Sequence, residues 1–172
     1  MTQTLTTDRL ILRQPAPADW AAFWAFFQTE RSTGVGGPLH IGPAWRHFAA
    51  ELGHWQIRGH GMWTVTRKGD DAALGMVGPW TPEDWPETEV GWMIFEPTLE
   101  GTGIATEAAK AAVAHAYGTL GWDTVVSYVA PGNDRSARLA EKLGAMHDTN
   151  APVPNRYPDT IVYRHPKPEV AA

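Results

Sequence analysis

One stretch, Glu96 to Ala109, constrains the fold of this chain more than any other, because it joins an apolar run to a helix through glycine. The apolar run Val90 to Phe95 precedes it and indicates a buried strand. Ala105 begins an alanine-rich run of strong helix formers. Between the two, Gly101 and Gly103 predict a turn in which no β-carbon shields the backbone. The predicted order is therefore strand, glycine turn, helix.

A helix that begins directly after such a turn predicts an anion site. The first backbone N–H groups of a helix have no partner within it, and the positive end of the helix dipole lies behind them. A phosphate or pyrophosphate suits this arrangement best. The alternative is a glycine turn that starts a helix and binds nothing, and two glycines alone do not decide between these interpretations.

A second polar helix start lies downstream, at Pro131 to Ser136. It follows another apolar run, Val125 to Val129, so that two predicted strands each end in a helix start with polar donors. Two such neighbouring strands suit one long anionic ligand. The sequence therefore favours a ligand at the glycine turn.

Length and element order predict the fold class. A chain of 172 residues is long enough for one domain with a sizeable core and too short to expect two. We expect residues 1–172 to form one domain, with a frayed tail at 166–172. Predicted strands and helices mix without strict alternation, which indicates an α/β domain with a mixed central sheet.

Charge and missing residue types narrow the function. The net charge of −5 argues against nucleic acid as the main partner, whereas a basic amine or peptide is favoured. The chain has no cysteine, which excludes disulfides, a thiol nucleophile and thiolate metal sites, and is compatible with the cytoplasmic location that we expect. No apolar run approaches the ~18 residues of a membrane span, and no secretory signal is visible. The histidines His47, His54 and His60 lack metal-ligand spacing, so we expect no metal.

Hydrophobic periodicity and the positions of glycine and proline predict the remaining helices and strands. The predicted strands cover 9–14, 62–67, 72–77, 89–95 and 124–129, and the predicted helices begin after Asp19 and cover about 44–58, 104–120 and 134–144. A last hairpin is predicted between 146 and 164. The glycine-rich segment Arg31 to Gly42 is predicted as a flexible loop, either a lid over substrate or a plain linker.

Taken together, these motifs resemble the GNAT superfamily of acyl-CoA-dependent N-acetyltransferases. The resemblance is carried by Glu89-Val-Gly-Trp, Pro97, Gly101-Thr-Gly-Ile-Ala-Thr-Glu-Ala, Asn133-Asp-Arg-Ser136 and Glu141-Lys-Leu-Gly144-Ala. The segment Thr7 to Arg13 also resembles the first strand of the branch that includes bacterial ribosomal-protein N-terminal acetyltransferases. The resemblance implies a GNAT-like sheet flanked by helices and splayed between the strands at 89–95 and 124–129.

The resemblance also implies a site for acetyl-coenzyme A (acetyl-CoA) as cosubstrate. Its pyrophosphate would accept from the backbone of Gly101, Thr102, Gly103, Ile104 and Ala105, with the Thr106 hydroxyl as a further candidate. Its pantetheine arm would pair like an added strand with Met93, Ile94 and Phe95. The side chain of Asn133 would bond a pantetheine amide or simply cap its helix.

Two positions depart from the family's pattern. Thr98 stands where Arg or Gln is common, and Glu100 stands where a neutral or aromatic residue is common. A carboxylate beside a pyrophosphate is unfavourable unless it points away. These departures therefore bear on the affinity for the coenzyme and not on the fold.

The resemblance implies two catalytic candidates, Glu89 and Ser136. Many members place a tyrosine acid where this chain has Ala140, so Ser136 is the candidate that assists the leaving sulfur, or else it is only a second capping hydroxyl. Glu89 opens the strand that borders the thioester and would accept the proton of the amine, or else it is a solvated strand-end carboxylate. Glu87 and Asp84 are the alternative bases.

The sequence thus predicts an N-acetyltransferase that moves an acetyl group from acetyl-CoA to a primary amine. The amine is a protein N-terminus or a small molecule, and it attacks directly in a ternary complex, without an acyl-enzyme. One alternative is a non-catalytic acyl-CoA-binding sensor or interaction module, and another is a phosphate-binding domain for a different nucleotide. The sequence is compatible with a monomer or a homodimer.

Overall fold

The computed structural model describes residues 3–168, in which eight strands form one mixed sheet flanked by helices. The elements are β1 (Leu5–Thr6), β2 (Leu10–Arg13), α1 (Trp20–Phe27), α2 (Ile41–Arg58), β3 (Trp63–Arg67), β4 (Asp70–Trp80), β5 (Glu89–Ile94), α3 (Ile104–Gly118), β6 (Val126–Val129), α4 (Asp134–Lys142), β7 (Met146–His147) and β8 (Ile161–Arg164). Three short 3-10 turns, Pro17–Asp19, Glu30–Val35 and Pro97–Leu99, connect them. The predicted fold class is confirmed. The predicted frayed tail lies partly outside the described residues.

The sheet has the order β1-β2-β3-β4-β5-β6-β8-β7. Strands β5 and β6 run parallel, whereas the other pairs described are antiparallel. A parallel pair needs a crossover, and α3 supplies it. The two strands pair at Glu89 and Val126 and share no further register over residues 3–168, so they diverge towards their carboxyl ends. The predicted splay is confirmed, and it places a gap beside the glycine turn.

Each face of the sheet carries its own hydrophobic cluster. Helix α3 packs on one face through Ala108, Ala112 and Ala116, which are fully buried and small enough for the helix to lie close to the strands. Helices α1 and α2 cover the other face with a largely aromatic cluster. Burying such surfaces stabilises the fold by about 25 cal/mol per Å² of apolar area.

Asp19 is the N-cap of α1 by position, as the sequence predicts, but its carboxylate makes no capping bond. It accepts instead from the Arg13 guanidinium at 2.8 and 2.9 Å, the Ala16 N–H at 2.9 Å and the Thr64 hydroxyl at 2.7 Å. Burial alone would raise the pKa of Asp19, but these bonds outweigh burial and hold it below its usual value. The residue therefore ties β2 and β3 to the start of α1.

No helix in residues 3–168 combines the length and the apolar character needed to cross a membrane.

Candidate active site

A groove of about 470 Å³ opens where β5 and β6 separate. Four elements line it: the carboxyl half of β5, the glycine turn with the first turn of α3, one face of α4, and the 3-10 segment Glu30–Val35, here called the lid segment. A cavity therefore lies at the predicted gap, beside the glycine turn, and its role as a ligand site stays a prediction.

The glycine turn presents unpaired donors to this groove. Gly101 and Gly103 have φ of 74° and 80°, a left-handed conformation that favours glycine. Within residues 3–168 no acceptor takes the backbone N–H groups of a set that we call the cradle: Gly101, Gly103, Ile104, Ala105 and Thr106. The cradle lies at the positive end of the α3 dipole and has the properties of an anion site.

Thr102, the remaining predicted donor of the turn, differs from the cradle. Its N–H donates to the Leu99 carbonyl at 3.3 Å, and its hydroxyl donates to the same oxygen at 2.6 Å. The prediction that its amide is available to a ligand is therefore wrong in this structure. Thr102 instead holds the turn together.

Arg9, at the start of the predicted first strand, hydrogen-bonds to the glycine turn on the side away from the groove. Its guanidinium donates to the Thr102 carbonyl at 2.9 Å and to the Glu107 carboxylate at 2.6 Å. The Thr7 hydroxyl also donates to Glu107, at 2.5 Å. The turn's outward carbonyl is thereby satisfied, while the cradle N–H groups point elsewhere.

The strand pleat decides which β5 backbone groups reach the gap. The Phe95 N–H donates to Leu74 of β4 at 2.9 Å, while the Ile94 carbonyl accepts from Arg31 at 3.1 Å on the groove side. Because successive residues point their polar groups to opposite edges, Trp92 and Ile94 face the gap, and Met93 and Phe95 face β4. The Phe95 N–H is thus taken by β4 rather than left for a ligand, while the predicted pairing of Met93, which lines the groove, stays a prediction.

Asn133 and Ser136 both line the groove at the start of α4. The Asn133 side-chain oxygen accepts from the Ser136 N–H at 3.2 Å, so Asn133 caps the helix and its amide nitrogen can still donate. The Ser136 hydroxyl accepts from the Trp92 indole N–H at 3.2 Å. The hydroxyl hydrogen of Ser136 therefore remains available to donate to a ligand in the groove. The bond that caps the helix is made by the Asn133 side chain and not by this hydroxyl.

Four cationic side chains line the groove and were not identified from the sequence: Arg31, Arg135, Arg138 and Lys142. The last three follow the spacing of one helix face, three and then four residues apart, and this spacing could have revealed them. Arg31 could not be found in this way, because the fold brings it from the lid segment to a site seventy residues further along the chain.

Glu100 lies between two of these cations. One of its carboxylate oxygens accepts from both Arg31 and Arg135. Hydrogen bonding from Arg31 is the main cause that keeps the pKa of Glu100 below its usual value. The carboxylate that departs from the family's pattern is thus an internal counter-ion for the groove arginines.

The lid segment forms part of the groove wall. Arg31, Gly34 and Val35 line the groove, and Gly34 lies so close to the Asn133 amide nitrogen that a β-carbon would collide with it. The segment is therefore part of the groove wall, and its role as a lid over substrate stays a prediction.

Glu89 lies outside the groove wall and is buried, with 7% of its surface exposed. Its carboxylate accepts from the Trp85 indole N–H at 2.5 Å and more weakly from the Tyr128 N–H at 3.4 Å. Burial, with a smaller contribution from the negative Glu51, raises the pKa of Glu89 to about 7. A solvated strand-end carboxylate is therefore excluded.

Three aromatic side chains pack together beside Glu89. The Trp85 ring packs edge-on against Tyr128 and Tyr157, with centroid distances of 6.3 and 6.0 Å. The sequence did not identify these three residues as neighbours. Of the alternative bases, Glu87 is engaged by Arg164 at 2.8 and 2.9 Å, and Asp84 is exposed.

The raised pKa of Glu89 predicts a pH-dependent loss of stability. A carboxyl whose pKa is about 7 in the folded state and near 4.5 when unfolded contributes fully below pH 4.5, and this contribution is lost as the pH rises through 7. The loss amounts to about 3 kcal/mol. We therefore expect Glu89→Gln to gain about 3 kcal/mol in unfolding free energy relative to the wild type between pH 4 and pH 8.

Denaturant unfolding of the two proteins across this pH range measures that difference, because the other titrating groups cancel between them. A stability difference that is constant with pH would contradict the raised pKa.

Across the described part of the chain, no three His, Asp or Glu side chains are grouped so that they could hold a metal ion.

Comparisons with known proteins agree with this geometry. A family model described as acetyltransferase (GNAT) domain matches residues 9–146. An acetyltransferase structure from Agrobacterium tumefaciens is 40% identical, with 95% of this chain and 94% of that chain covered and a TM-score of 0.88. The uncharacterized N-acetyltransferase YoaA of Bacillus subtilis is 27% identical, with 81% of each chain covered.

A more distant structure shows likeness of fold alone. The ribosomal alpha-N-protein acetyltransferase RimL, solved in complex with coenzyme A, is 15% identical and has a TM-score of 0.73, with 95% of this chain and 97% of that chain covered.

Proposed function

Because this chain belongs to the GNAT acetyltransferase family and is an acyltransferase, we propose that it acetylates a primary amine by direct attack in a ternary complex. The acceptor is a protein N-terminus or a small-molecule amine. The single observation that supports the proposal most strongly is the cradle of five unpaired N–H groups, four of whose residues, Gly101, Gly103, Ala105 and Thr106, line the groove.

The residues present fit coenzyme A. The cradle and the neighbouring arginines suit a diphosphate, since both backbone donors and guanidinium forks bind phosphate oxygens. The gap-facing polar groups of Trp92 and Ile94 suit an amide-bearing arm that lies along β5. When bound, acetyl-CoA supplies the activated acetyl group as a thioester.

Glu89 is the proposed proton acceptor for the attacking amine. A general base works best when its pKa lies near the operating pH, and the pKa of Glu89 is about 7. Taking a proton from a peptide α-ammonium, with a pKa of about 7.7–8.0, costs about 1 kcal/mol, whereas a lysine with a pKa of about 10.4 costs about 4–5 kcal/mol. This comparison supports an α-amine or another weakly basic amine as acceptor.

Ser136 is the proposed hydrogen-bond donor to the leaving sulfur. The Trp92 indole N–H donates to its oxygen at 3.2 Å, so the hydroxyl hydrogen is free to donate to a ligand in the groove. The tyrosine found elsewhere in the family has no counterpart at Ala140, which is fully buried on the core-facing side of α4.

Ser136→Ala is expected to lower kcat about 10- to 100-fold, because a hydrogen bond to a charged group contributes about 1.5–3 kcal/mol. The KM for acetyl-CoA is expected to stay unchanged, and the melting temperature is expected to fall only slightly, since the cap bond uses the Ser136 backbone and only the Trp92 indole N–H loses its acceptor. Steady-state kinetics and thermal unfolding measure both. An unchanged kcat would leave Ser136 with no chemical role.

Glu100→Gln is expected to tighten coenzyme A binding about threefold to tenfold, because the diphosphate no longer competes with a carboxylate for Arg31 and Arg135. Titration calorimetry at low and high salt measures the gain, which should shrink as salt screens it. Glu96→Gln, an exposed neutral substitution four residues earlier, is the matched control. Weaker binding by Glu100→Gln would mean that Glu100 holds the arginines in place for the ligand.

The experiment that tests the proposed function is an acceptor screen with the purified protein, reading coenzyme A thiol released from acetyl-CoA. Release that depends on an amine, with an acetylated product confirmed by mass spectrometry, supports it. Tight acetyl-CoA binding without release across peptides, amino acids and small amines would favour the sensor alternative.

A further inference from the structure

We propose that Trp85, Tyr128 and Tyr157 form the subsite that binds the amine acceptor beside Glu89, and that this subsite selects an amine which carries a second positive charge. We call these three side chains the aromatic wall. The inference rests on the proposed function, since it names the class of acceptor for that same reaction.

The aromatic wall lies next to both the proposed base and the coenzyme groove. The Trp85 indole N–H donates to the Glu89 carboxylate at 2.5 Å, and the Tyr128 backbone N–H donates to its other oxygen at 3.4 Å. A β-carbon added to Gly36, the residue that follows the lid segment, would lie 3.9 Å from the Tyr157 hydroxyl. Because the lid segment lines the groove, the wall adjoins the coenzyme site as well as Glu89.

Packing of the core does not explain why these rings meet. They come from separate parts of the chain: the loop before β5, strand β6, and the connection between β7 and β8. Over residues 3–168, none of them belongs to the hydrophobic clusters that form the core. Tyr157 keeps 41% of its surface exposed, and Trp85 and Tyr128 are half-buried. The wall therefore offers aromatic surface that a ligand can reach.

The arrangement of the rings suits a cation. The Trp85 ring is turned by 85° from the Tyr128 ring and by 78° from the Tyr157 ring. Aromatic faces therefore point in more than one direction at the same place. An ammonium or a guanidinium is attracted to such a face when it lies within about 6 Å of the ring centre.

A second buried carboxylate, Glu51, lies close to Glu89. Glu51 is 1% exposed, and its ion-pair partner in residues 3–168 is His47, 3.5 Å from one oxygen, while the other oxygen has no partner there. The His47 ring lies 6.4 Å from the Trp80 ring, and Trp80 pairs with Glu89 across β4 and β5. The negative charge of Glu51 also helps to raise the pKa of Glu89.

These two carboxylates favour a positively charged ligand. In the described part of the chain, no arginine or lysine forms an ion pair with Glu51 or Glu89. Buried negative charge without a cation is costly, and a bound cation reduces that cost.

The reacting amine cannot supply this charge, because it must give a proton to Glu89 before it attacks. A second cationic group keeps its charge throughout the reaction. It also lowers the pKa of the neighbouring amine, which makes deprotonation easier. The acceptor is thus an amine with a second, permanently charged group such as a guanidinium, carried either by a peptide or by a small molecule.

The test uses pairs of acceptors that differ in charge but hardly in shape, because a ureido group replaces the guanidinium. One pair is the peptides alanyl-arginine and alanyl-citrulline, and the other is aminobutylguanidine and aminobutylurea. Steady-state kinetics with acetyl-CoA give kcat/KM for each. In at least one pair, the guanidinium acceptor is expected to have a kcat/KM about tenfold higher or more, because several ring faces contact the cation. A preference in the first pair alone indicates a peptide acceptor, and a preference in the second alone indicates a small molecule.

Tyr157→Leu removes one ring of the wall and is expected to reduce this preference about threefold to tenfold. The loss should come from a higher KM for the guanidinium acceptor, while kcat and the affinity for coenzyme A stay close to the wild-type values. Tyr157→Phe is the matched control, since it keeps the ring and should keep the preference. Thermal unfolding checks that both variants fold, as the exposure of Tyr157 leads us to expect.

Three outcomes would overturn the subsite. Equal kcat/KM within both pairs, or higher values for the neutral members, would exclude selection for a cation. Turnover of other amines but of none of these four would do the same. A preference that survives Tyr157→Leu unchanged would show that the aromatic wall is not its source. Absence of turnover with every amine would instead contradict the proposed function itself, so the two failures are distinguishable.

Discussion

Glu89→Gln is expected to lower kcat about a hundredfold to ten-thousandfold, the range that a positioned general base contributes. The substitution keeps the shape of the side chain and removes its ability to accept a proton. The wild-type kcat/KM should rise as Glu89 deprotonates, through an apparent pKa of about 7. The variant should lose this inflection, and steady-state kinetics from pH 5.5 to 9 with one amine acceptor measures both effects.

Asp84→Asn is the matched control for this experiment. Asp84 is an exposed acid of the loop that precedes β5, and its substitution should leave the rate and the pH profile within about twofold of the wild type. Coenzyme A should bind Glu89→Gln normally, because Glu89 lies outside the groove wall. A Glu89→Gln variant with more than a third of the wild-type rate and the same pH profile would remove Glu89 as the base.

The predicted gain in the stability of Glu89→Gln separates a loss of catalysis from a loss of folding. The same buried carboxylate that is poised near neutral pH destabilises the fold when it ionises. A variant that becomes more stable above pH 7 while it loses turnover cannot owe its inactivity to misfolding. Such a trade between stability and activity is common at functional sites.

Ala105→Glu is expected to weaken coenzyme A binding at least a hundredfold. Ala105 is a cradle residue that lines the groove, and a carboxylate there would lie beside the diphosphate. Two like charges about 4 Å apart repel by about 4 kcal/mol at an effective dielectric constant of 20. Glutamate is a good helix former and is favoured in a first helical turn, so the free protein should fold normally.

Ala105→Gln is the matched control, since it adds the same bulk without the charge. The ratio of the dissociation constants of the two variants isolates the electrostatic contribution, and we expect it to exceed tenfold at low salt and to fall as salt rises. Calorimetry and thermal shift with coenzyme A measure it. Equal affinities for Glu and Gln at this position would place the diphosphate elsewhere.

The local elements could be predicted from the sequence because local chemistry determines them. The helix that begins at Ile104 after two left-handed glycines and the alanines that face the sheet follow from residue type and spacing. The polar start of α4 follows in the same way, and Asn133 takes the capping position that was one of its two predicted roles. Both helices begin at the predicted residue and end two residues before the predicted end.

The remaining features depend on contacts between distant segments. The pairing of Glu100 with Arg31, and the burial that raises the pKa of Glu89, exist only once the sheet is assembled. The Phe95 N–H could not be assigned to β4 from the sequence because the pleat reverses at each residue, and only the register with β4 shows which edge it faces.

The most direct test of the central claim is an NMR titration that follows the amide resonances of residues 101–106 as coenzyme A is added. We predict large shifts and slowed hydrogen exchange for Gly101, Gly103, Ile104, Ala105 and Thr106, because their free N–H groups gain phosphate acceptors. The Thr102 amide, which already donates to Leu99, should change its exchange rate little. Saturating coenzyme A that leaves these five amides unchanged while others shift would contradict the cradle as the diphosphate site.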